Sequence, residues 1–220
     1  MNLTISDELT TRWSKLSVGV LRAKVKNSLT SPELWQEIEN EVAVIRSKYD
    51  TNTIKERSGI VATRNAYKAT GKDPSRYRPS NEQLARRVIQ GKDLYSVDTL
   101  VDIGNLVSLR SGYSIGVLDS QKIVGDVVLG VGRHEEPYEG IGRGLLNIEG
   151  LPVYRDNLGG IATPTSDSMR TKISDETVNI CVFFNGYDGD EDNISNAIEL
   201  MKSLLEKYAD GKDFSSIIVK

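Results

Sequence analysis

Between Val97 and Arg110, in the segment VDTLVDIGNLVSLR, apolar residues fall on nearly every face of a helical projection. A helix of that kind is stable only when surrounded on all sides, so the rest of the chain has to be built around it. Upstream the spacing is mostly helical. Leu34, Ile38, Val42, Ile45 and Tyr49 recur every three or four residues, behind Ser31 as N-cap and Pro32 at the first helical position, which predicts an amphipathic helix over 32–50. A second helix is expected over about 54–70, with Ile60 and Tyr67 on one face and Gly71 ending it. Two prolines make 71–80 (GKDPSRYRPS) a loop, and the capping-box pattern Ser80-Asn-Glu-Gln83 opens a helix to about Gln90, closed by Gly91. Only 3–6 and 18–25 read as early strands, from their β-branched residues and partial alternation.

After Gly112 the pattern changes. Short β-rich pieces at 114–118, 122–132, 151–155, 159–163 and 178–184 are separated by Gly, Pro, Asn and Asp. The acidic loop 187–193 precedes a helix over about 194–209, whose inner face carries Ile198, Met201, Leu204 and Leu205, and 215–219 reads as a last edge strand. Helices first and strands later, without βαβ alternation, predict an α+β fold: a helical N-terminal half with a mixed or antiparallel sheet of short strands, in one domain over 1–220.

Residue content excludes several functions. Cys181 is the only cysteine, so no internal disulfide exists and a reducing compartment, the cytoplasm, is expected. A Ser-His-Asp triad would have to use His134, the only histidine. That ring sits beside Glu135 and Glu136, but consecutive residues on a strand point to opposite faces and do not converge on a metal. The N-terminus has no cationic lead before an apolar run, and no apolar stretch reaches the roughly 18 residues of a membrane helix. Glycines 140, 142 and 144 do not have the spacing of a dinucleotide fingerprint. No cofactor and no metal are expected.

The formal net charge is −3, yet Arg64–Lys92 holds eight Lys/Arg against two acids. Two readings stand for this run. It is either a solvated surface, or a polyanion contact in which Tyr67 and Tyr77 stack on unpaired bases. Asp102 and Asn105, one turn apart in the apolar helix, likewise either tie that helix to a neighbouring loop or line a pocket. The hydroxyl-rich run 165–177 can satisfy its own backbone, or hold a small polar ligand or a water near an ester.

The segment SNEQLARRVIQGKDLYSVDTLVDIGNLVSLRSGYSIGVLD (80–119), followed by Asp175-Glu176-Thr177 and Asn179-Ile180, resembles the combined third and fourth domains of the bacterial phenylalanyl-tRNA synthetase β subunit. AYKATGKDPSRYRPS (66–80) and the SIGVLD ending are closer to free-standing relatives of that domain, and the likeness covers roughly residues 60–186. The resemblance implies the synthetase module's fold, tRNA or aminoacyl-tRNA as partner, and no role on DNA or membranes. It implies a pocket wall from Asn105, Asp119, Asp167 and Thr177, and tRNA contacts from Arg64, Lys68, Lys72, Arg76, Arg78, Arg86 and Arg87. Two departures stand out. Gly116 takes the place of the pocket histidine, and Phe183 falls where an ungapped count from Asp175-Glu176-Thr177 puts the editing glutamate. The resemblance therefore implies binding of tRNA or of an aminoacyl-tRNA 3′ end, and leaves open the hydrolysis of a mischarged ester in trans. With no aminoacylation domain, the chain is not expected to be a ligase. The alternative is a non-catalytic pocket for a free amino acid or similar metabolite.

Overall fold

A computed structural model describes residues 1–220. Six helices and ten strands combine in an α+β arrangement: β1 (Leu3–Ile5), α1 (Asp7–Arg12), β2 (Ser17–Lys24), α2 (Pro32–Lys48), α3 (Ser58–Ala69), α4 (Ser80–Ile89), α5 (Thr99–Ser111) and β3 (Ser114–Asp119). There follow β4 (Val127–Val131), β5 (Glu139–Gly140), β6 (Gly144–Leu145), β7 (Pro152–Asp156), β8 (Gly159–Ala162), β9 (Asn179–Gly186), α6 (Glu191–Tyr208) and β10 (Lys212–Val219).

One four-stranded sheet has the order β10-β2-β9-β3 and is antiparallel throughout; a second has the order β1-β4-β7-β8, with β1 parallel to β4. Strand β9 explains how the layers stack. Its side chains alternate across the sheet, so Ile180, Val182 and Phe184 join a core with α2, α5 and α6, while Cys181 and Phe183 face α3 and the second sheet. Both faces of β9 are therefore buried, and its sequence reads as an unbroken apolar run. Each fully buried aliphatic or aromatic side chain here contributes about 1.5–3 kcal/mol.

Helix α5 lies in the helical layer, as its all-round apolarity requires, with Leu100, Ile103, Leu106 and Val107 in the main core and Leu109 packed toward α4. Its start is fixed by Asp98, whose side chain accepts from the Val101 amide at 2.9 Å. Its end is fixed twice. Gly112 adopts φ +82 at the position after the helix, and Arg57 donates to the carbonyls of Leu109 and Arg110, each at 2.6 Å. A Cβ at Gly112 would meet the Arg57 guanidinium at 2.7 Å, so glycine and arginine are required together.

Several expected boundaries move. The helix expected over 54–70 is a 3-10 turn at Ile54–Glu56 followed by α3 from Ser58. The capping box at Ser80 does not form: Pro79 is the N-cap residue, Ser80 is already helical, and the Gln83 side-chain amide donates instead to the Arg78 carbonyl at 2.6 Å. The strand expected over 122–132 is confined to β4, because Asp119 caps a 3-10 turn at Ser120–Lys122. Helix α6 starts three residues early, capped by Asp190 through the Asn193 amide, and β10 is indeed an edge strand.

Arg57→Ala leaves two carbonyls at the end of α5 without their charged donor. It should lower stability by about 2 kcal/mol in urea denaturation; a loss within experimental error would mean that solvent replaces the guanidinium fully.

Candidate functional site

The basic segment folds around one acid. Glu82, in the first turn of α4, has a fully buried side chain and accepts from Arg64 at 2.8 Å and from Arg86 at 2.7 Å, with Arg78 at 3.5 Å. A lone buried carboxylate would be costly, and three guanidiniums compensate it. Arg64 also reaches Ser75, and Arg86 the Thr51 carbonyl, so this cluster binds α3, α4 and the 71–79 loop into one unit. Lys72 is likewise internal. It donates to the carbonyls of Asn147 and Glu149 at 2.9 and 2.6 Å and sits 3.7 Å over the Tyr77 ring, and burial lowers its pKa. Lys68 and Arg76 are exposed, Arg76 lying 5.7 Å from the Tyr77 ring centre. Arg87 is half-buried, stacked 4.2 Å from the Tyr95 ring centre and donating to the Asp93 carbonyl.

With α4 held this way, a cleft of about 330 Å³ opens between α4, α5 and the edge strand β3. Ser80, Gln83, Leu84 and Arg87 line it from α4, at the spacing of one helical face. Gly104, Asn105 and Ser108 line it from α5, with Ile115 and Thr165 completing the wall. Thr165 is held rigidly: its hydroxyl bonds the Tyr67 hydroxyl at 2.9 Å and the Tyr77 carbonyl at 3.2 Å. The turn carrying it closes on the Thr163 hydroxyl, which accepts from the amides of Thr165 and Ser166. Beside the cleft, the β5–β6 hairpin donates from the Ile141 amide to the Asp167 carbonyl at 2.9 Å, and exposed Arg143 on that hairpin donates to the Gln83 side chain.

The four expected pocket residues separate into three places. Asn105 lines the cleft. Asp167 lies two residues beyond Thr165, across the outer edge of β3; a Cβ on Gly116 would be 3.1 Å from its carboxylate. Burial pushes the Asp167 carboxyl up to about 7, and only the Val117 amide acts against that rise. Asp119 and Thr177 are elsewhere. Their 2.9 Å hydrogen bond lies at the far end of β3, where Asp119 also accepts from the Gln121 amide and caps the following turn. Asp102, one turn before Asn105, accepts from the hydroxyls of Thr30 and Ser96 at 2.6 and 2.7 Å and ties α5 to its neighbouring loops.

Under β3, Gly116 pairs with Phe183 in the ladder, and the fully buried Phe183 ring stacks on Tyr154 with centroids 4.3 Å apart and planes at 11°. His134 is exposed, 3.1 Å from Glu149. No helix is long and apolar enough to cross a membrane. Sequence reasoning passed over Gln83 in the cleft and Arg143 beside it, while Thr165 entered only within the hydroxyl-rich run 165–177. Gln83 carried a signal in its helical spacing from Ser80 and Arg87; Arg143 carried none beyond a glycine-rich turn.

A family model described as the B3/4 domain matches residues 62–210. Among solved structures, the fold is similar to an N-terminal fragment of the phenylalanyl-tRNA synthetase β-subunit from Pyrococcus horikoshii, with a TM-score of 0.52 and 14% identity. The match covers 99% of this chain and 50% of that one, so this chain spans about half the length of the fragment. No curated protein matches the chain.

Two measurements test the electrostatics of this region. Glu82→Gln leaves the arginine cluster without its anion and should cost about 3 kcal/mol in denaturant unfolding, whereas Glu206→Gln, on the exposed face of α6, should change stability by less than about 0.5 kcal/mol. Asp167 holds its proton more tightly when folded than when unfolded. Stability therefore falls as pH rises from the ordinary carboxylate range near 4 to about 7, and this contribution is flat above that. Asp167→Asn should gain on the parent protein by on the order of 1 kcal/mol between pH 5 and pH 8; the same difference at both pH values would contradict the burial of that carboxyl.

Proposed function

Because the chain belongs to the B3/4 domain family, we propose that it binds tRNA, receiving the aminoacylated 3′ end in the cleft between α4 and α5. The observation that carries this reading is the cleft itself: a polar cavity inside the matched segment, with Asn105, Ser108 and Thr165 in its wall. Arg87 stands in that wall and Arg143 beside it through Gln83, where a terminal phosphate would need cations. Tyr95, exposed and next to the Arg87 guanidinium, offers a ring for an unpaired base. Lys68, Arg76 and Lys92 also face solvent, where they can meet the phosphate backbone. A larger groove of about 900 Å³ runs along α2, with Trp35, Ile38, Val42, Arg46 and Lys92 in its wall; it lies mostly outside the matched residues. The reading places the protein in the cytoplasm with its charged tRNA.

Hydrolysis of the ester in trans is the catalytic form of this reading. It would need a group to orient water against the ester carbonyl and donors for the oxyanion. Gly116 and Phe183 supply no such group. The Asn105 amide is the donor at hand, because the Thr165 hydroxyl already donates to the Tyr77 carbonyl.

A second reading, a pocket for a free amino acid or similar metabolite, is favoured by the fate of the basic segment. Arg64, Arg78 and Arg86 surround Glu82, and Lys72 is buried against carbonyls, so fewer cations face solvent than the sequence suggests.

Salt dependence separates the two. tRNA affinity should fall steeply between 50 and 200 mM salt, and the combined Arg87→Ala and Arg143→Ala variant should reduce the log–log slope by roughly 2. Absence of tRNA binding, together with salt-insensitive binding of a free amino acid in calorimetry, would favour the second reading. Incubation with Tyr-tRNA, Ala-tRNA and Ser-tRNA tests hydrolysis; no deacylation above background would restrict the activity to binding.

A further inference from the structure

The wall of the cleft between α4, α5 and β3 contains no acid. An amino acid or aminoacyl group carries an α-ammonium, which would enter this space with no carboxylate to receive it and with the Arg87 guanidinium already adding positive charge. The Asp167 carboxylate does not serve. It sits against Gly116, and consecutive residues of a strand face opposite ways, so it lies across β3 from Ile115 and the cleft. The cleft is suited instead to an uncharged group.

Leu84 from α4 and Ile115 from β3 give it apolar surface for the faces of a flat ring. Most of its polar side chains are in use: Ser108 donates to the Tyr113 carbonyl at 2.7 Å, Thr165 to the Tyr77 carbonyl at 3.2 Å, and Gln83 to the Arg78 carbonyl at 2.6 Å. Asn105 is different. Half-buried in the wall, it bonds to nothing in the protein, so its amide keeps a donor and an acceptor free side by side. That pair matches adenine, which carries an amino donor next to a ring-nitrogen acceptor, and asparagine holds adenine by these two bonds. The free Ser80 hydroxyl suits the ribose, and Arg87, which uses only its Nε on the Asp93 carbonyl, keeps both terminal nitrogens for a phosphate. At about 330 Å³ the cleft is at the small end for a ligand pocket, and one nucleoside fills it.

tRNA ends in adenosine. We infer that the cleft takes the terminal adenine of the RNA, that Asn105 specifies it, and that the amino acid stays outside the cleft. The inference rests on the proposed binding of a tRNA 3′ end and names the part of that end which is recognised. Tyr95, stacked on Arg87 outside the cleft wall, is left for the preceding base.

Hairpin RNAs with a single-stranded CCA end test it. They are compared with the same hairpin ending in purine riboside, which lacks the amino group, and with the CCA hairpin carrying alanine through a non-hydrolysable amide. The adenosine end should bind roughly tenfold more tightly than the purine end, the discrimination that a two-bond base contact gives. Asn105→Ala, a helix-compatible change at a half-buried site, should bring the two to within about twofold of each other. The alanylated and uncharged CCA hairpins should bind within about twofold of each other, since no acid in the wall receives the ammonium. Equal binding of the adenosine and purine ends, or a preference that survives in Asn105→Ala, overturns this inference while RNA binding stands. Markedly tighter binding of the alanylated form does the same. Failure of every hairpin and of uncharged tRNA to bind overturns the parent reading and this inference with it.

Discussion

A single buried carboxylate, Glu82, sets the geometry of the region where a ligand would sit. Its arginine partners come from α3, from the 71–79 loop and from the next turn of α4. Losing any one of them weakens the compensation of a carboxylate that water does not reach, so the three segments are held in one arrangement. The face of α4 carrying Ser80, Gln83 and Arg87 is thereby aimed at α5, and the cleft is the gap between them. The basic character of the sequence here is in good part architecture, with Arg87 left at the cleft and Lys68 and Arg76 facing solvent.

The second constraint is the sharing of β9 between two cores. With one side chain row against the helices and the other against the second sheet, β9 cannot shift by one residue without exchanging the rows. That fixes Phe183 opposite Gly116 and against Tyr154, and gives the space beneath β3 an aromatic filling. The same register leaves the Gly116 position open to Asp167. One ladder thus settles both what is excluded from that space and which charge lies at its edge.

Several elements were legible from periodicity and capping because those signals are local. Helix α2 follows from its three-or-four spacing behind Ser31-Pro32, and the burial of α5 from apolarity on every face; both lie as expected. The capping box at Ser80 misled because the same residues had a tertiary use. Glu82 turns inward to its arginines, Gln83 turns to the Arg78 carbonyl, and Pro79 starts the helix. For the site, Asn105 stood out as a polar residue in an apolar helix. Asp119 and Thr177 were indistinguishable from it in sequence, yet they bond each other 2.9 Å apart at the far end of β3.

By itself the sequence determined the order of helices and strands, the burial of α5, the absence of any internal disulfide, and the segment that resembles a tRNA synthetase module. These follow from properties that adjacent residues carry together: spacing, turn chemistry and residue type. Only the tertiary structure decided which charges cancel inside and which face outward, that Asp167 has no cation beside it, and that Phe183 stacks on Tyr154. Those outcomes join residues far apart in the chain, such as Arg64 with Glu82 and Gly116 with Asp167. A charge or a ring has the same local signature whether its partner is water or another side chain, and burial alone separates the two cases.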